Sequence, residues 1–371
     1  MGRIFEYGLL ILLIMFSGYV MPSRGSEKKP VKPTSDQEAS NLPQKLKDFS
    51  IKDLVEELTV RGLIEQTRTT KGPLPSKGAP SLMAFPREAL SKFDNKTILE
   101  ALAIHDKSIY GPDDREEVVA VSNPGPKKNA ESVIALFKKD RITNNLDGTA
   151  SLRLDFFNCV PGKKTQILCT KEKFRNQYTG PIGTGVLIQP DLVATVSHCV
   201  DRANLSDIRF VFGFKMKKGA VEPTSVIAKD IYEGQEVISP SGTDWVLIRL
   251  KKPVSGHPWA SIRREGRVGN GNGLYIIGHP CGLPAKFASN AHVGGNTDKS
   301  FFLADLDAFH GNSGSPVFNE GSDIVEGLLL KGNPDFCPDP LEGGHCWSSV
   351  RTRGAGKEKC IRTTEFARYL K

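Results

Sequence analysis

The residues of this chain best suited to chemistry lie in a serine-containing turn towards its C-terminal end. Ser313 stands between Asn312 and Gly314 in the run Gly-Asn-Ser-Gly-Ser-Pro that begins at Gly311. Because glycine takes positive φ angles freely, such a turn can expose the hydroxyl and aim neighbouring N–H groups at one point. One donor of such an oxyanion hole lowers a reaction barrier by roughly 3 kcal/mol. The run predicts a nucleophilic Ser313, with the N–H groups of Gly311 and Ser313 as the oxyanion donors.

Two upstream motifs offer the base and the carboxylate that a serine nucleophile needs. His198 follows the apolar strand pattern Leu192–Val196, and Asp244 directly precedes the pattern Trp245–Leu250. A histidine within reach can take the serine proton near neutral pH, and a carboxylate beside it fixes the imidazole tautomer. Either residue alone would more often be structural. Other aspartates compete for the third position: Asp230, Asp305 and Asp307.

The three motifs, in the order His, Asp, Ser, resemble those of the chymotrypsin-like (trypsin-fold) serine peptidases. The form Gly-Asn-Ser-Gly-Ser-Pro-Val-Phe is similar to that of the bacterial branch that includes the glutamyl endopeptidases. The resemblance covers residues 108–371. It implies a catalytic triad of His198, Asp244 and Ser313 and a mainly β fold, with two six-stranded antiparallel β-barrels that enclose the site between them. A small helical N-terminal region and a C-terminal helix complete the expected fold.

The hydrophobic pattern supports many short strands from about residue 151 onwards, since apolar runs alternate there with turn residues. The candidate strands are Thr184–Ile188, Leu192–Val196, Ile208–Phe214, Trp245–Leu250, Leu274–Ile277, Phe301–Ala304, Pro316–Phe318 and Ile324–Leu330. Two helices are also predicted within residues 108–371. One runs from Asn129 to Asp140 on an apolar face containing Val133 and Phe137, and the other is capped by Thr364 near the C-terminus.

The sequence departs from the family at two places. Asn312 stands where the digestive enzymes hold an aspartate that pairs with a newly cut N-terminus, so that ion pair is unavailable here. Gly183 stands where many relatives place a cysteine opposite the one after the catalytic histidine. We therefore expect Cys199 to lack its usual disulfide partner.

Substrate preference is the least determined property. Ala308 and Leu329 occupy the positions at which glutamyl enzymes hold the Thr and His that bind an acidic side chain, so the resemblance does not imply glutamate specificity. Asp307 lies six residues before Ser313, where trypsin-like enzymes hold the carboxylate at the pocket floor. If it faces the pocket, substrates with Lys or Arg before the scissile bond follow, because a buried carboxylate prefers a cation. The alternative is that Asp307 accepts hydrogen bonds from loop amides and that Leu329 makes the pocket more apolar.

Residues 1–25 are typical of a secretory signal peptide. A basic start at Arg3 precedes an apolar run from Tyr7 to Met21, and small residues follow where a signal peptidase cleaves. As a helix this run spans roughly 22 Å, less than the ~30 Å core of a bilayer, although an uncleaved membrane anchor is the alternative. The sequence therefore predicts a secreted or periplasmic protein that leaves the membrane once the signal is removed.

Residues 26–107 are predicted to form a linker and then a helical region, which is either a propeptide or an accessory domain. The linker is too poor in apolar residues to order itself. The run Ser108–Arg115 resembles the segment that opens mature glutamyl-type peptidases, and we place the start of the peptidase domain, residues 108–371, there.

The seven cysteines all lie in the peptidase-like part of the chain. In an exported protein they favour disulfides, and the short-loop candidates are Cys159 with Cys169 and Cys337 with Cys346 or Cys360. The spacing of Cys337, His345, Cys346 and Cys360 matches no standard zinc site. We expect no metal and no cofactor.

The chain carries a net charge of +8 with both signs mixed, and no basic run is interleaved with aromatic residues. Nucleic-acid binding is therefore not predicted, and the expected partner is a protein or peptide substrate. Two alternatives remain. The fold could serve a catalytically silent binding or scaffold protein, or Ser313 could belong to an α/β-hydrolase with His345 closing the triad. The sequence leaves the oligomeric state open.

Overall fold

A computed structural model of the chain describes residues 54, 57, 61, 90–95, 97–98, 109–332, 335–339, 341–352 and 358–370. The predicted signal peptide over residues 1–25 lies outside these ranges, and so does most of the predicted linker and helical region over 26–107. These assignments, and the domain start at 108, remain predictions. Among the helices of the described ranges, none combines the length and apolar character that crossing a bilayer requires.

Short strands make up most of the described structure. The strands up to residue 250 are β1 (Ile109–Tyr110), β2 (Glu116–Glu117), β3 (Val133–Lys138), β4 (Ile142–Asn144), β5 (Thr149–Leu152), β6 (Asp155–Phe156), β7 (Tyr178–Thr179), β8 (Gly183–Gln189), β9 (Leu192–Val196), β10 (Ile208–Val211), β11 (Ser225–Ile227), β12 (Ile231–Val237) and β13 (Trp245–Leu250). Those beyond it are β14 (Gly273–Gly278), β15 (Lys286–Gly295), β16 (Phe301–Ala304), β17 (Pro316–Asn319), β18 (Val325–Lys331), β19 (Phe336–Pro338), β20 (Trp347–Ser349), β21 (Arg351–Thr352) and β22 (Glu358–Arg362).

The helices of the described ranges are few and short. The α-helices after residue 108 are α1 (Pro124–Ala130) and α2 (Thr364–Ala367). The 3₁₀ helices after residue 108 are each one turn long: Val118–Ala120, Lys139–Arg141, Leu205–Asp207, Ala228–Asp230 and Pro280–Gly282.

The first barrel closes in the strand order β10-β12-β13-β9-β8-β3, and all six pairings are antiparallel. Residues of β9 are buried without exception, and those of β3 and β8 are buried except for the last residue of each. Continuous apolar runs of this kind suit strands that form the inside of a small barrel. The adjacent strands β8 and β9 thus place residue 198 at the rim of this barrel.

The second barrel has the order β14-β17-β18-β22-β16-β15 and closes through the pairing of β14 with β15. The short strand β2 adds to its outside on β15. One apolar cluster reaches from the first barrel, at Leu136 and Val193, to the second, at Tyr275 and Phe318. The barrels therefore share a core, and the predicted fold of two six-stranded antiparallel barrels is confirmed. An α/β-hydrolase sheet is excluded.

The predicted helix from Asn129 to Asp140 is wrong in position. Helix α1 begins after Asn123, whose side chain accepts a hydrogen bond from the N–H of Gly125, and it ends at Ala130. The run Val-Ile-Ala-Leu-Phe that follows is strand β3. A short run of consecutive apolar residues has no period that separates a buried strand from a buried helix, and here the barrel needs a strand.

The predicted C-terminal helix is present as α2, although Thr363 rather than Thr364 is its N-cap residue. Phe366 is fully buried and packs on Trp245 of the first barrel, with ring centroids 5.6 Å apart. Tyr369 packs on the same indole at 5.3 Å. The chain end, which follows the last strand of the second barrel, therefore stabilises the first.

The predicted short disulfides are wrong, because Cys169 pairs with Cys346 across 177 residues. This bond joins the loop before β7 to the loop before β20. Cys159 and Cys360 carry thiols instead. Spacing alone could not show this, since the partners meet only when the loops of the two barrels come together.

We expect removal of this disulfide to destabilise the protein. The double variant Cys169→Ser/Cys346→Ser should lower the melting temperature by roughly 10 °C, because a long loop is no longer closed in the unfolded chain. Cys159→Ser is the matched control and should melt as the wild type does. A wild-type melting temperature that does not respond to a reductant would contradict the pairing.

Candidate active site

The strand ends of the first barrel place His198 beside Asp244. Strand β9 ends at Val196, which lies opposite Trp245 at the start of β13. The N–H of Ser197 then donates to the main-chain oxygen of Asp244 at 3.0 Å. Both predicted residues therefore leave neighbouring strands at the same rim of the barrel.

The turn that carries Ser313 depends on its two glycines. Gly311 and Gly314 have φ angles of +93° and +84°. A Cβ on Gly311 would lie 2.5 Å from the carbonyl oxygen of His279, and one on Gly314 would lie 2.2 Å from that of Thr184. No other residue fits either position without moving backbone, so the spacing of glycines around Ser313 follows from packing as well as from φ.

The N–H groups that would form the oxyanion hole are available. Neither Gly311 nor Ser313 uses its N–H in a hydrogen bond to any residue that the structure describes. The N–H groups between and after them are occupied, since Asn312 donates to Phe309 at 2.9 Å and Gly314 donates to Leu329 at 2.7 Å. The turn thus leaves its two alternate donors for a ligand.

A buried threonine ties this turn to the first barrel. Thr184 in β8 donates its N–H to the carbonyl oxygen of Ser313 at 2.9 Å and its hydroxyl to that of Gly311, also at 2.9 Å. The same hydroxyl accepts the N–H of His279 at 3.1 Å. In turn, the carbonyl oxygen of Thr184 accepts a hydrogen bond from the Thr195 hydroxyl at 2.7 Å. The position of Ser313 relative to β9, and so to His198, is fixed through the main chain and hydroxyl of this one residue.

His198 and Ser313 line the same cleft between the barrels, which has a volume of about 480 Å³. Asp244 is exposed and is not part of the cleft lining. The remaining lining residues are Ala308, Phe309, His310, Leu329, Leu330, Lys331, Gly332, Asp335 and Glu358. The predicted pocket residue Leu329 is among them, whereas Asp307 is not.

The electrostatic environment keeps His198 neutral. Partial burial of the imidazole in the cleft lowers its pKa, the nearby His310 lowers it further, and the charge of Asp244 opposes both. Within the described residues, no hydrogen bond joins His198 to Asp244 or to Ser313. The charge of Asp244 therefore reaches the imidazole without a hydrogen bond, and the lowered pKa of His198 favours its neutral form.

Asp307 holds the start of the peptidase-like region. Its carboxylate is almost fully buried, at 3% exposure, and accepts the N–H of Tyr110 at 2.8 Å and that of Asp114 at 2.9 Å. Burial raises its pKa to about 6. Arg115 of the same segment lies 4.0 Å over the ring of Phe309, a cleft residue. Asp307 thus bonds loop amides, as the sequence allowed, and anchors the cleft wall.

The two departures from the family pattern also have a structural basis. Asn312 is buried, and its side-chain oxygen accepts a hydrogen bond from the Ser315 hydroxyl at 3.3 Å. Cys199 is buried, and its sulfur would lie 2.6 Å from a Cβ on Gly183. The thiol therefore fills the space that a second cysteine would need.

Comparison with known proteins gives one family match. Residues 183–325 match the trypsin-like peptidase domain, and this range contains His198, Asp244 and Ser313. The match supports a trypsin-fold serine peptidase. The range begins in β8 of the first barrel and ends in β18 of the second, so it spans parts of both barrels. The glutamyl-endopeptidase branch remains a prediction.

The chain is also similar to solved protease structures at low identity. One is the serine endoprotease from Yersinia pestis, with 14% identity, a TM-score of 0.39 and coverage of 66% of this chain and 63% of that chain. Another is the Rv3671c protease from Mycobacterium tuberculosis in its inactive form, with 15% identity, a TM-score of 0.38 and coverage of 67% and 91%. No curated protein sequence matches the chain significantly.

Sequence reasoning missed three residues that shape the site: Thr184, His310 and Glu358. Thr184 stands between two glycines in an otherwise apolar strand, which is a signal for close contact with another backbone. His310 directly precedes Gly311, so the sequence already shows that it lies close to Ser313. Nothing in the sequence places Glu358 in the cleft, because it lies beyond several loops.

We expect Thr184→Val to slow catalysis with little effect on substrate binding. Valine has nearly the same shape as threonine, but it leaves the N–H of His279 and the carbonyl oxygen of Gly311 without their hydrogen-bond partner. The turn that carries Ser313 should therefore shift. We expect kcat to fall roughly 10- to 100-fold and KM to change by less than about threefold. Thr184→Ser keeps the hydroxyl and should restore most of kcat. Equal losses in both variants would show that the hydroxyl does not position the turn.

Proposed function

We propose that the protein is a serine endopeptidase that hydrolyses peptide bonds through an acyl-enzyme intermediate. The observation that carries this proposal is that Ser313, with two available N–H donors, shares one cleft with a neutral His198. Ser313 attacks the scissile carbonyl carbon as His198 takes the hydroxyl proton. The N–H groups of Gly311 and Ser313 then bind the oxyanion that forms.

The remaining steps use the same residues. His198 delivers its proton to the leaving amine, and the acyl group stays on Ser313. Water enters, gives its proton to His198 and attacks the ester, which releases the acid and regenerates the serine. Asp244 stabilises the imidazolium that forms twice in each turnover, since opposite charges at the same barrel rim attract.

We further propose that the protein acts outside the cytoplasm, secreted or periplasmic. The Cys169–Cys346 disulfide favours an oxidising compartment, and residues 1–25 would serve as the signal peptide that directs the chain there. Residues 26–107 lie outside the proposed chemistry, because all the groups that the mechanism uses lie beyond residue 180.

A catalytically silent binding protein is the second candidate. It is favoured by the exposure of Asp244 and by the lack, within the described residues, of a hydrogen bond from His198 to Ser313. In enzymes without bound substrate, the catalytic hydrogen bonds are often long and shorten only when substrate binds. A chemical test is therefore needed to separate the peptidase from the silent binding protein.

A fluorophosphonate probe should label Ser313 covalently in the folded protein. Labelling requires an activated serine and reports no substrate preference, so it should disappear in Ser313→Ala and fall by more than about 100-fold in His198→Ala. Ser315→Ala is the control for the neighbouring hydroxyl and should still be labelled. If the folded wild type neither reacts with the probe nor hydrolyses any peptide library, the peptidase proposal is wrong and the binding or scaffold function is the one supported.

The pH profile should carry the signature of His198. Because its pKa is lowered, the acid limb of kcat/KM should lie below the ordinary histidine value of about 6.5. Replacing the neighbouring base in His310→Gln removes a positive charge, raises the pKa of His198 and should move the limb to higher pH. His345→Gln, outside the cleft, should leave the limb unchanged. A limb that His310→Gln moves to lower pH would refute this coupling.

A further inference from the structure

A buried arginine lies well before the range that matches the peptidase family. Arg115 is only 1% exposed, and it belongs to a segment, residues 109–117, that precedes every strand of the first barrel. A buried guanidinium costs free energy unless an ion pair and hydrogen bonds compensate it. The contacts that compensate Arg115 therefore indicate what this residue does in the fold.

The guanidinium of Arg115 is held by Asp113. Its Nε atom donates to Oδ1 of the carboxylate at 2.9 Å, and its Nη2 atom donates to Oδ2 at 2.7 Å, so two hydrogen bonds join the two groups. Lys173, in the loop before β7, covers this pair. Its ammonium donates to the carbonyl oxygen of Asp113 at 3.1 Å and to that of Arg115. The guanidinium is therefore fixed in one orientation.

The same guanidinium lies over an aromatic ring of the cleft. Its central carbon is 4.0 Å from the ring centroid of Phe309 and 5.5 Å from that of Phe174. A cation is attracted to an aromatic ring within about 6 Å, and more strongly when both groups are removed from water. Phe309 is 3% exposed and also packs on Phe336, with ring centroids 5.3 Å apart. The position of its ring is thus set by Arg115 and Phe336 together.

Phe309 begins the turn that carries the proposed oxyanion donors. Its carbonyl oxygen accepts the N–H of Asn312 at 2.9 Å, and the carbonyl oxygen of His310 accepts the N–H of Cys281 at 2.5 Å. The peptide that joins His310 to Gly311 therefore has its oxygen bonded, whereas its N–H makes no bond to any described residue. A shift of Phe309 would change the direction of that N–H, because only His310 separates Phe309 from Gly311.

The segment around Arg115 is anchored on both sides. Before it, Ile109 is fully buried and β1 pairs with β21. After it, β2 pairs with β15, and Glu117 accepts a hydrogen bond from the buried ammonium of Lys286 at 3.0 Å. The carboxylate of Asp307 adds two hydrogen bonds from the N–H groups of residues 110 and 114. These contacts make Arg115 a rigid support for Phe309.

We propose that Arg115 is a positioning residue of this peptidase, which holds the oxyanion turn in its active geometry through the ring of Phe309. Arg115 does not line the cleft, so its effect passes through Phe309, which does. The residues that determine the rate therefore include one that lies before the first barrel and outside the family-matched range. This inference rests on the proposed peptidase function and adds to it a residue on which turnover depends.

Removal of the buried ion pair as a unit tests this role. The variant Asp113→Asn/Arg115→Met leaves neither member of the pair charged, and kcat should fall roughly 10- to 30-fold with KM within about threefold, because the loosened turn stabilises the oxyanion less well. Arg115→Lys keeps a cation for the carboxylate and the ring, and it should retain kcat within about fivefold of the wild type. Lys252→Met is the matched control. It removes a cation 5.0 Å from the ring of Tyr232 in the first barrel and should leave kcat unchanged.

A double-mutant cycle shows whether Arg115 acts through Phe309. Phe309→Leu keeps an apolar side chain in the cleft but removes the ring, so kcat should fall by a similar factor. When Asp113→Asn/Arg115→Met is added to Phe309→Leu, kcat should fall less than about threefold further, because the contact is already gone. Losses that multiply would overturn the proposal, and so would an unchanged kcat in Asp113→Asn/Arg115→Met.

A measurement without catalysis separates this proposal from the peptidase function. His310 and Gly311 form the only His-Gly pair in the sequence. Protein labelled with carbonyl-¹³C histidine and ¹⁵N glycine therefore gives one amide NMR signal that reports both labels, that of Gly311. This signal should move in Asp113→Asn/Arg115→Met and in Phe309→Leu but not in Lys252→Met.

The outcomes of the two measurements are distinct. A signal that moves as expected in a protein that proves inactive would support the role of Arg115 while the peptidase function failed. An unmoved signal in an active enzyme would overturn the role of Arg115 alone. If Asp113→Asn/Arg115→Met does not fold, Phe309→Leu decides: a moved signal with a lower kcat supports the proposal, and an unchanged signal with an unchanged kcat refutes it.

Discussion

The hydrogen bonds at Thr184 are the contact on which the site depends. A trypsin-like site needs groups from two barrels that fold around separate strand sets, and the position of one barrel relative to the other must be set within a fraction of an ångström. Here the main-chain N–H and the side-chain hydroxyl of one buried residue in β8, Thr184, donate to the carbonyl oxygens of Ser313 and Gly311. In the same turn, the N–H groups of Gly311 and Ser313 make no hydrogen bond to any described residue.

A second constraint is the buried Asp307 carboxylate, which costs stability at neutral pH. Its pKa of about 6 lies above the ordinary value because of burial, so the folded chain binds a proton there more tightly than the unfolded chain does. Its contribution to stability therefore increases as the pH falls through about 6 and is least favourable when the group is ionised. The ionised form is nonetheless the one that accepts both N–H groups of residues 110 and 114. The two hydrogen bonds from these N–H groups offset this cost and order the wall of the cleft.

The sequence predicted those parts of the fold whose signal is local. The eight candidate strands are all present, and the apolar strands next to His198 and Asp244 bring these two residues to one rim of the first barrel. The four other barrel strands were missed for identifiable reasons. Strand β3 is a buried run without a period, whereas β12, β15 and β22 contain Glu, Gly, Asn or Lys and gain their strand conformation from pairing with neighbours. The cleft position of Glu358 and the Cys169–Cys346 bond depend on loops that meet only after both barrels have formed.

The way in which Asp307 holds the segment after residue 108 bears on activation. In the digestive enzymes a newly cut N-terminal amine pairs with the aspartate before the nucleophile, and Asn312 cannot form that pair. Here the bonds run to backbone N–H groups of Tyr110 and Asp114, which exist whether or not the chain is cut before them. Arg115 adds its contact with Phe309 in the same way. The order of the cleft wall is therefore independent of a free amine, and cleavage near residue 108 would act by removing the preceding region rather than by building the oxyanion hole.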